Sequence, residues 1–183
     1  PSAPSTAPSV ANLPYVIPTL PEGPSGYTEK PGWSAARFMV AAANPLATDA
    51  GFQVLKAGGT ALDAAIAVQM VPTLAEPQSS GIGGGAFLLH WDGQSVAAWD
   101  GRETAPAAAT PNLFMQADGK PMPFLQAAVG GRSVGVPGVV KMLEAAHREH
   151  GRLPWAQLMA PAMALAEQGF PVSHRLHTQL KAE

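Results

Sequence analysis

Residues 76–106 read EPQSSGIGGGAFLLHWDGQSVAAWDGRETAP. A glycine turn, Gly81 to Ala86, leads into an apolar strand running from Ala86 to Trp91. Asp92-Gly93 separates it from a second strand, Gln94 to Trp99, and Arg102 follows where that strand ends. Asp-Gly between two apolar runs is a strong hairpin signal. The hairpin limits the fold sharply, because two strands cannot make an independent core and most of the remaining sequence favours helices. The chain is therefore expected to be α+β, mostly helical, with an unfinished sheet.

Helix signals stand on both sides of the hairpin. Leu46, Ala50, Val54 and Ala57 recur at helical spacing and Gly58-Gly59 supplies a left-handed stop, which predicts a helix over 46–56. Thr60 then caps a second helix, with Asp63 completing the capping box in place of the usual Glu. Ala61 to Val71 is so rich in Ala, Ile, Val and Met that this helix is expected to be buried on most sides, with Pro72 and Pro77 ending it. Helices resume at Pro137 and Pro154, each proline placed in a first turn, and run to Gly151 and Gly169. A last helix starts near Ser173. The apolar run Arg37 to Ala43, closed by Asn44-Pro45, reads as a buried strand, and residues 104–133 read as irregular surface structure.

Residues 1–36 carry a proline or glycine every few positions and predict an extended arm, with Tyr15, Tyr27 and Trp33 as its anchors. Its start, PSAPSTAPSVANLP, resembles the exposed end of a mature exported protein, so a periplasmic or secreted location is expected. No apolar run reaches the length of about 18 residues that a membrane span needs. With a formal net charge of −2 and 13% charged residues, the chain lacks the basic footprint that nucleic acid demands. Cysteine is absent, which excludes disulfides, thiolate catalysis and zinc ribbons. A small, neutral partner or another protein surface is the better expectation.

Four signals bear on chemistry. Gly81 to Ala86 has the letters of the dinucleotide fingerprint, but that motif needs a strand before it and a helix after it, and the order here is reversed. A tight turn or close backbone packing explains these glycines better. Gly131-Arg132-Ser133-Val134-Gly135 has the letters of a nucleophile elbow. Ala127-Ala128-Val129 is nevertheless a weak strand and Pro137 starts the helix late, which favours a polar turn. His147 with His150, and His174 with His177, sit three apart on predicted helices, and Glu144 lies a turn before His147. No third ligand converges on either pair, so no metal or cofactor is expected and solvated helix ends account for both. His90 is expected at the strand edge. Arg102 leaves two readings open: an ion pair with Asp100 or Glu103 that braces the turn, or a fork that grips a carboxylate.

Several stretches together resemble one family. Ala43-Asn44-Pro45-Leu46-Ala47-Thr48-Asp49-Ala50-Gly51 comes first, followed by Leu55-Lys56-Ala57-Gly58-Gly59-Thr60-Ala61-Leu62-Asp63-Ala64-Ala65. Then come Glu76-Pro77-Gln78 to Gly85, and Asp100-Gly101-Arg102-Glu103-Thr104-Ala105-Pro106. In this order they resemble the N-terminal part of the large subunit of gamma-glutamyltransferases (gamma-glutamyltranspeptidases). The resemblance implies part of an αββα N-terminal-nucleophile hydrolase sandwich, made as a precursor that cleaves itself into a large and a small subunit. It also implies that a threonine at the new N-terminus of the small subunit attacks γ-glutamyl amides such as glutathione, and that Arg102 binds the substrate's α-carboxylate. None of the nine threonines here is the first residue or lies in a segment like the family's cleavage site, so no catalytic residue is expected in this chain. Residues 37–183 are accordingly expected to be an incomplete domain, inactive alone, whose partners are the small subunit and the remainder of the large subunit. A glutaryl (cephalosporin) acylase of the same fold and a non-catalytic binding protein are the competing expectations.

Overall fold

A computed structural model of the chain describes residue 32 and residues 34–182. Tyr15, Tyr27, Trp33 and nearly all of the expected arm lie outside the described residues. The elements run α1 (Pro45–Lys56), α2 (Ala61–Ala75), β1 (Phe87–Trp91), β2 (Val96–Asp100), α3 (Phe124–Ala128), a 3-10 turn (Gly131–Ser133), α4 (Val139–His150), α5 (Trp155–Gln168) and α6 (His174–Ala182). They fall into two compact units, one holding the described residues up to Gly81 together with His147 onward, the other Ile82–Ala146.

In the first unit, α1 and α2 pack on each other and α2 packs on α5. Leu46, Ala47, Ala50 and Val54 of α1 are buried, as are Leu62, Ile66, Ala67, Met70 and Val71 of α2, with Leu158 and Leu165 from α5. Burying each larger side chain contributes roughly 1.5–3 kcal/mol. Asn44 does not close a strand. It caps α1, its Oδ1 accepting the Leu46 N–H (2.9 Å), with Pro45 in the first turn. No strand forms over residues 37–43: from Phe38 onward they alternate between half-buried and exposed, but no neighbouring strand pairs with them among the described residues. Phe38 instead packs against Phe52 with ring centroids 5.6 Å apart.

Pro72 does not end α2 either. A proline removes one N–H and leaves the bonds downstream of it intact, and the helix continues to Ala75 with Glu76 donating its N–H to the Pro72 carbonyl (2.8 Å). The buried Glu76 side chain then accepts from Asn44 Nδ2 (2.9 Å) and from Gln78, tying the end of α2 to the start of α1.

The capping box over Thr60 and Asp63 forms as expected, Asp63 N–H donating to Thr60 Oγ1 (3.1 Å) and Thr60 N–H to Asp63 Oδ2 (2.8 Å). Asp63 does more than cap. Fully buried, its carboxylate also accepts the backbone N–H groups of Arg152 (3.1 Å) and Leu153 (3.2 Å), fixing the loop before α5. His147 is part of the same joint rather than a solvated helix end. Its Nε2 lies 2.9 Å from the Leu153 carbonyl oxygen and 3.5 Å from Asp63 Oδ1, and its ring meets Trp155 edge-on at 5.4 Å. Pro154 precedes α5 instead of starting it, and Pro161 lies inside.

In the second unit β1 and β2 pair antiparallel, Phe87 opposite Asp100 and Trp91 opposite Val96. The turn is held by Asp92, whose carboxylate accepts the Gln94 and Ser95 N–H groups (both 2.7 Å). The Ser95 and Gln94 amides hold its pKa below the usual carboxylate value. Leu88, His90, Ala97 and Trp99 are half-buried on one face, while Phe87, Leu89, Trp91, Val96 and Ala98 are exposed on the other. α3 and the 3-10 turn add short regular pieces to the stretch expected to be irregular, and α4 begins at Val139, two residues after Pro137.

Asp63→Ala would leave three backbone N–H groups without their acceptor. Each buried unsatisfied donor costs about 1–3 kcal/mol, so a loss of about 3 kcal/mol or more is expected from urea unfolding of the purified protein. A loss below about 1 kcal/mol would show that water replaces the carboxylate.

Candidate substrate-binding site around Arg102

The strand ladder carries past the end of β2, Gly101 donating its N–H to the Ala86 carbonyl (3.0 Å), and so delivers Arg102 at a fixed point. Three residues further, Thr104 and Val136 exchange hydrogen bonds (3.2 and 2.8 Å), and the Gly138 and Val139 N–H groups donate to the Gly84 carbonyl (3.1 and 3.2 Å). Glycine is required where these segments cross. A Cβ on Gly138 would press on the carbonyl oxygens of Gly101 and Arg102, the latter at 2.7 Å, and one on Gly85 would lie 2.6 Å from Arg102 Cα. The glycine turn is thus a packing device, as its order of elements suggests.

The two readings of Arg102 are partly reconciled by geometry. Asp100 Oδ1 accepts the backbone N–H of Arg102 (2.9 Å), not its guanidinium. Glu103 Oε2 lies 3.5 Å from Arg102 Nε. The Arg102 side chain is 64% exposed, and an ion pair so exposed contributes only about 0–1 kcal/mol, too little to be the reason for an arginine here. The pair places Glu103 on the Nε side of the guanidinium. With Nε engaged, the Nη groups face no acceptor among the described residues, and that is the edge that grips a carboxylate in a fork.

Arg102 borders two open hollows within this unit. One of about 470 Å³ is lined by Gly83, Arg102, Glu103, Phe114, Arg132 and Ser133, among others. The other, about 300 Å³, includes Trp99, Pro137, Lys141 and Met142. Sites for small ligands usually span about 300–1,000 Å³.

Of the other sequence candidates, Ser133 lines the larger hollow with Arg102, and the histidines and Glu144 do not. Ser133 sits in the 3-10 turn, its hydroxyl donating to the Ala128 carbonyl (2.7 Å), with α4 starting six residues later, so no nucleophile elbow forms. Glu144 pairs with Lys141 (3.2 Å), His150 lies 3.8 Å from Glu149, and His174 lies 3.5 Å from Thr178 Oγ1. His90 is half-buried opposite Ala97. Sequence reasoning passes over Arg132, because the turn that holds it draws attention only through its serine.

The profile of the family described as gamma-glutamyltranspeptidase matches residues 47–183. The chain belongs to this family. The glutathione hydrolase proenzyme of Bacillus subtilis (strain 168) is 47% identical over 136 residues, covering 73% of this chain and 23% of that protein. The chain therefore spans about a quarter of the length of such curated relatives. Among solved structures, gamma-glutamyltranspeptidase of Helicobacter pylori superposes with a TM-score of 0.78 at 35% identity over 83% of this chain and 44% of that one. Cephalosporin acylase of Bacillus halodurans gives 0.67 at 38% identity, over 75% and 25%. The helix-rich α+β fold expected from the resemblance is the one that this chain shares with these N-terminal-nucleophile hydrolases.

Gly138→Ala should disturb the backbone that carries Arg102. The added methyl meets backbone rather than a movable side chain, so overpacking of about 1–3 kcal/mol is expected, seen as a lowered melting temperature. An unchanged melting temperature would mean that the crossing at Gly101 is looser than described.

Proposed function

We propose that this chain is the N-terminal part of the large subunit of a gamma-glutamyltransferase that cleaves γ-glutamyl amides such as glutathione and passes the acyl group to water or an amine. The proposed partners are the remainder of the large subunit and a small subunit with an N-terminal threonine, in a periplasmic or secreted enzyme. The observation that carries the reading is the Arg102 guanidinium, with Glu103 on its Nε side and its Nη edge open beside a hollow of about 470 Å³. It stands in the Asp100-Gly101-Arg102-Glu103 segment through which the sequence resembles the family.

In this reading Arg102 holds the α-carboxylate and so fixes where the γ-amide lies. The partner's threonine hydroxyl attacks the amide carbon, its proton passing to the threonine α-amine and then to the leaving nitrogen. An ester forms as the C–N bond breaks. Water then attacks the ester and releases glutamate, or an amine attacks it and forms a new γ-glutamyl amide. Backbone N–H groups stabilise the tetrahedral oxyanion in both halves. Held substrate converts each attack into an effectively intramolecular event, which is where a clamp remote from the reacting bond contributes rate.

A glutaryl acylase is the second reading, supported by the likeness to the Bacillus halodurans cephalosporin acylase. Arg102 serves it equally, because a glutaryl group keeps a carboxylate and lacks only the α-amine. Comparing γ-glutamyl and glutaryl anilides in the assembled enzyme separates the two.

Arg102→Lys in that enzyme replaces a fork with a point charge. A loss of about 2 kcal/mol, or roughly 30-fold in kcat/KM for γ-glutamyl donors, is expected from steady-state kinetics. Unchanged kinetics would remove Arg102 from the site.

A further inference from the structure

The larger hollow beside Arg102 holds a second guanidinium. Arg132 is carried on the turn Gly131–Ser133, and its Nη1 donates to the Leu113 carbonyl oxygen (2.7 Å). That bond fixes the head of the side chain while leaving its charge uncompensated, since a carbonyl accepts a proton donor without neutralising a cation. No carboxylate pairs with Arg132 among the described residues. Among the described residues, Glu103 is the one acid that lines the hollow, and it lies 3.5 Å from Arg102 Nε.

Two cations therefore face one anion across this hollow. A single carboxylate on Arg102 leaves Arg132 with an open charge and free N–H donors, and Phe114 supplies an apolar wall. A γ-glutamyl peptide of three residues is about 10 Å long when extended, a fit for a hollow of about 470 Å³. We propose that Arg132 binds a second carboxylate at the far end of the substrate, so that the site favours γ-glutamyl peptides with a free C-terminal acid over neutral γ-glutamyl amides. The proposal rests on the reading of Arg102 as the α-carboxylate clamp and assigns a specificity residue to it.

The test uses the assembled enzyme and two donors that differ only at the distal end, glutathione and its C-terminal amide. The quantity read is the ratio of their kcat/KM values. Charge-assisted hydrogen bonds make that ratio about 10–100 in the wild type, and Arg132→Gln brings it close to one, with Arg132→Lys between. A wild-type ratio near one, or a ratio that Arg132→Gln leaves unchanged whatever the overall rate, overturns the proposal while leaving the function of Arg102 intact. Should Arg132→Gln fail to assemble, the wild-type ratio at low and high ionic strength decides: it falls as salt screens Arg132, and a salt-independent ratio overturns the proposal. A wild-type enzyme that turns over neither donor overturns the proposed function and this inference together.

Discussion

A carboxylate with no exposed surface holds the helical unit together. Asp63 accepts N–H groups from its own helix start and from residues 152 and 153, so one side chain fixes both the entry to α2 and the entry to α5. Those two helices pack on each other, and the joint sets their relative register at one end. A buried carboxylate is tolerated because several donors converge on it; the same group with one donor would cost several kcal/mol. His147 closes the joint from the side, spanning Asp63 and the Leu153 carbonyl, with Trp155 covering its ring. At the opposite end of α2, Glu76 and Asn44 do a similar service between helix termini.

In the hairpin unit the organising constraint is the absence of side chains. Gly84, Gly85, Gly101 and Gly138 let three backbone segments cross within van der Waals distance, and Arg102 leaves this crossing as the first long side chain. The position of the Arg102 Cα is thereby set by backbone, which is stiff. Glu103 Oε2 stands 3.5 Å from the Arg102 Nε. An arginine held in this way suits a ligand with a planar acidic group. The outward apolar positions Phe87, Leu89, Trp91 and Val96, from 61% to 74% exposed, show in addition that one hairpin face has no partner among the described residues. This agrees with a chain spanning about a quarter of its curated relatives.

Much of this was legible in the residues, and the failures share a cause. Thr60 with Asp63, Asp92-Gly93 and the stops at Gly58-Gly59, Gly151 and Gly169 are local devices, complete within a few residues, and each forms where the sequence places it. Pro72 misleads because a proline weakens a helix without forbidding it when packing on both sides is strong. Arg37 to Ala43 has strand composition and no strand to pair with. The tertiary role of Asp63 was hidden because its donors come from residues about ninety positions away. For Arg102 the sequence supplied the residue and its place at a strand end; which of its N–H groups remain open depended on Asp100 turning to the backbone and Glu103 to Nε. Arg132 gave no signal of its own, because a single basic residue in a polar turn is ordinary.

The central claim is that Arg102 grips the α-carboxylate of the γ-glutamyl group. A crystal structure of the assembled enzyme with glutamate bound tests it most directly. Two Nη-to-oxygen distances of about 2.7–2.9 Å from Arg102 to that carboxylate are expected, with Glu103 still beside Nε. Glutamate seated on another cation, with the Arg102 Nη groups left in solvent, would contradict it.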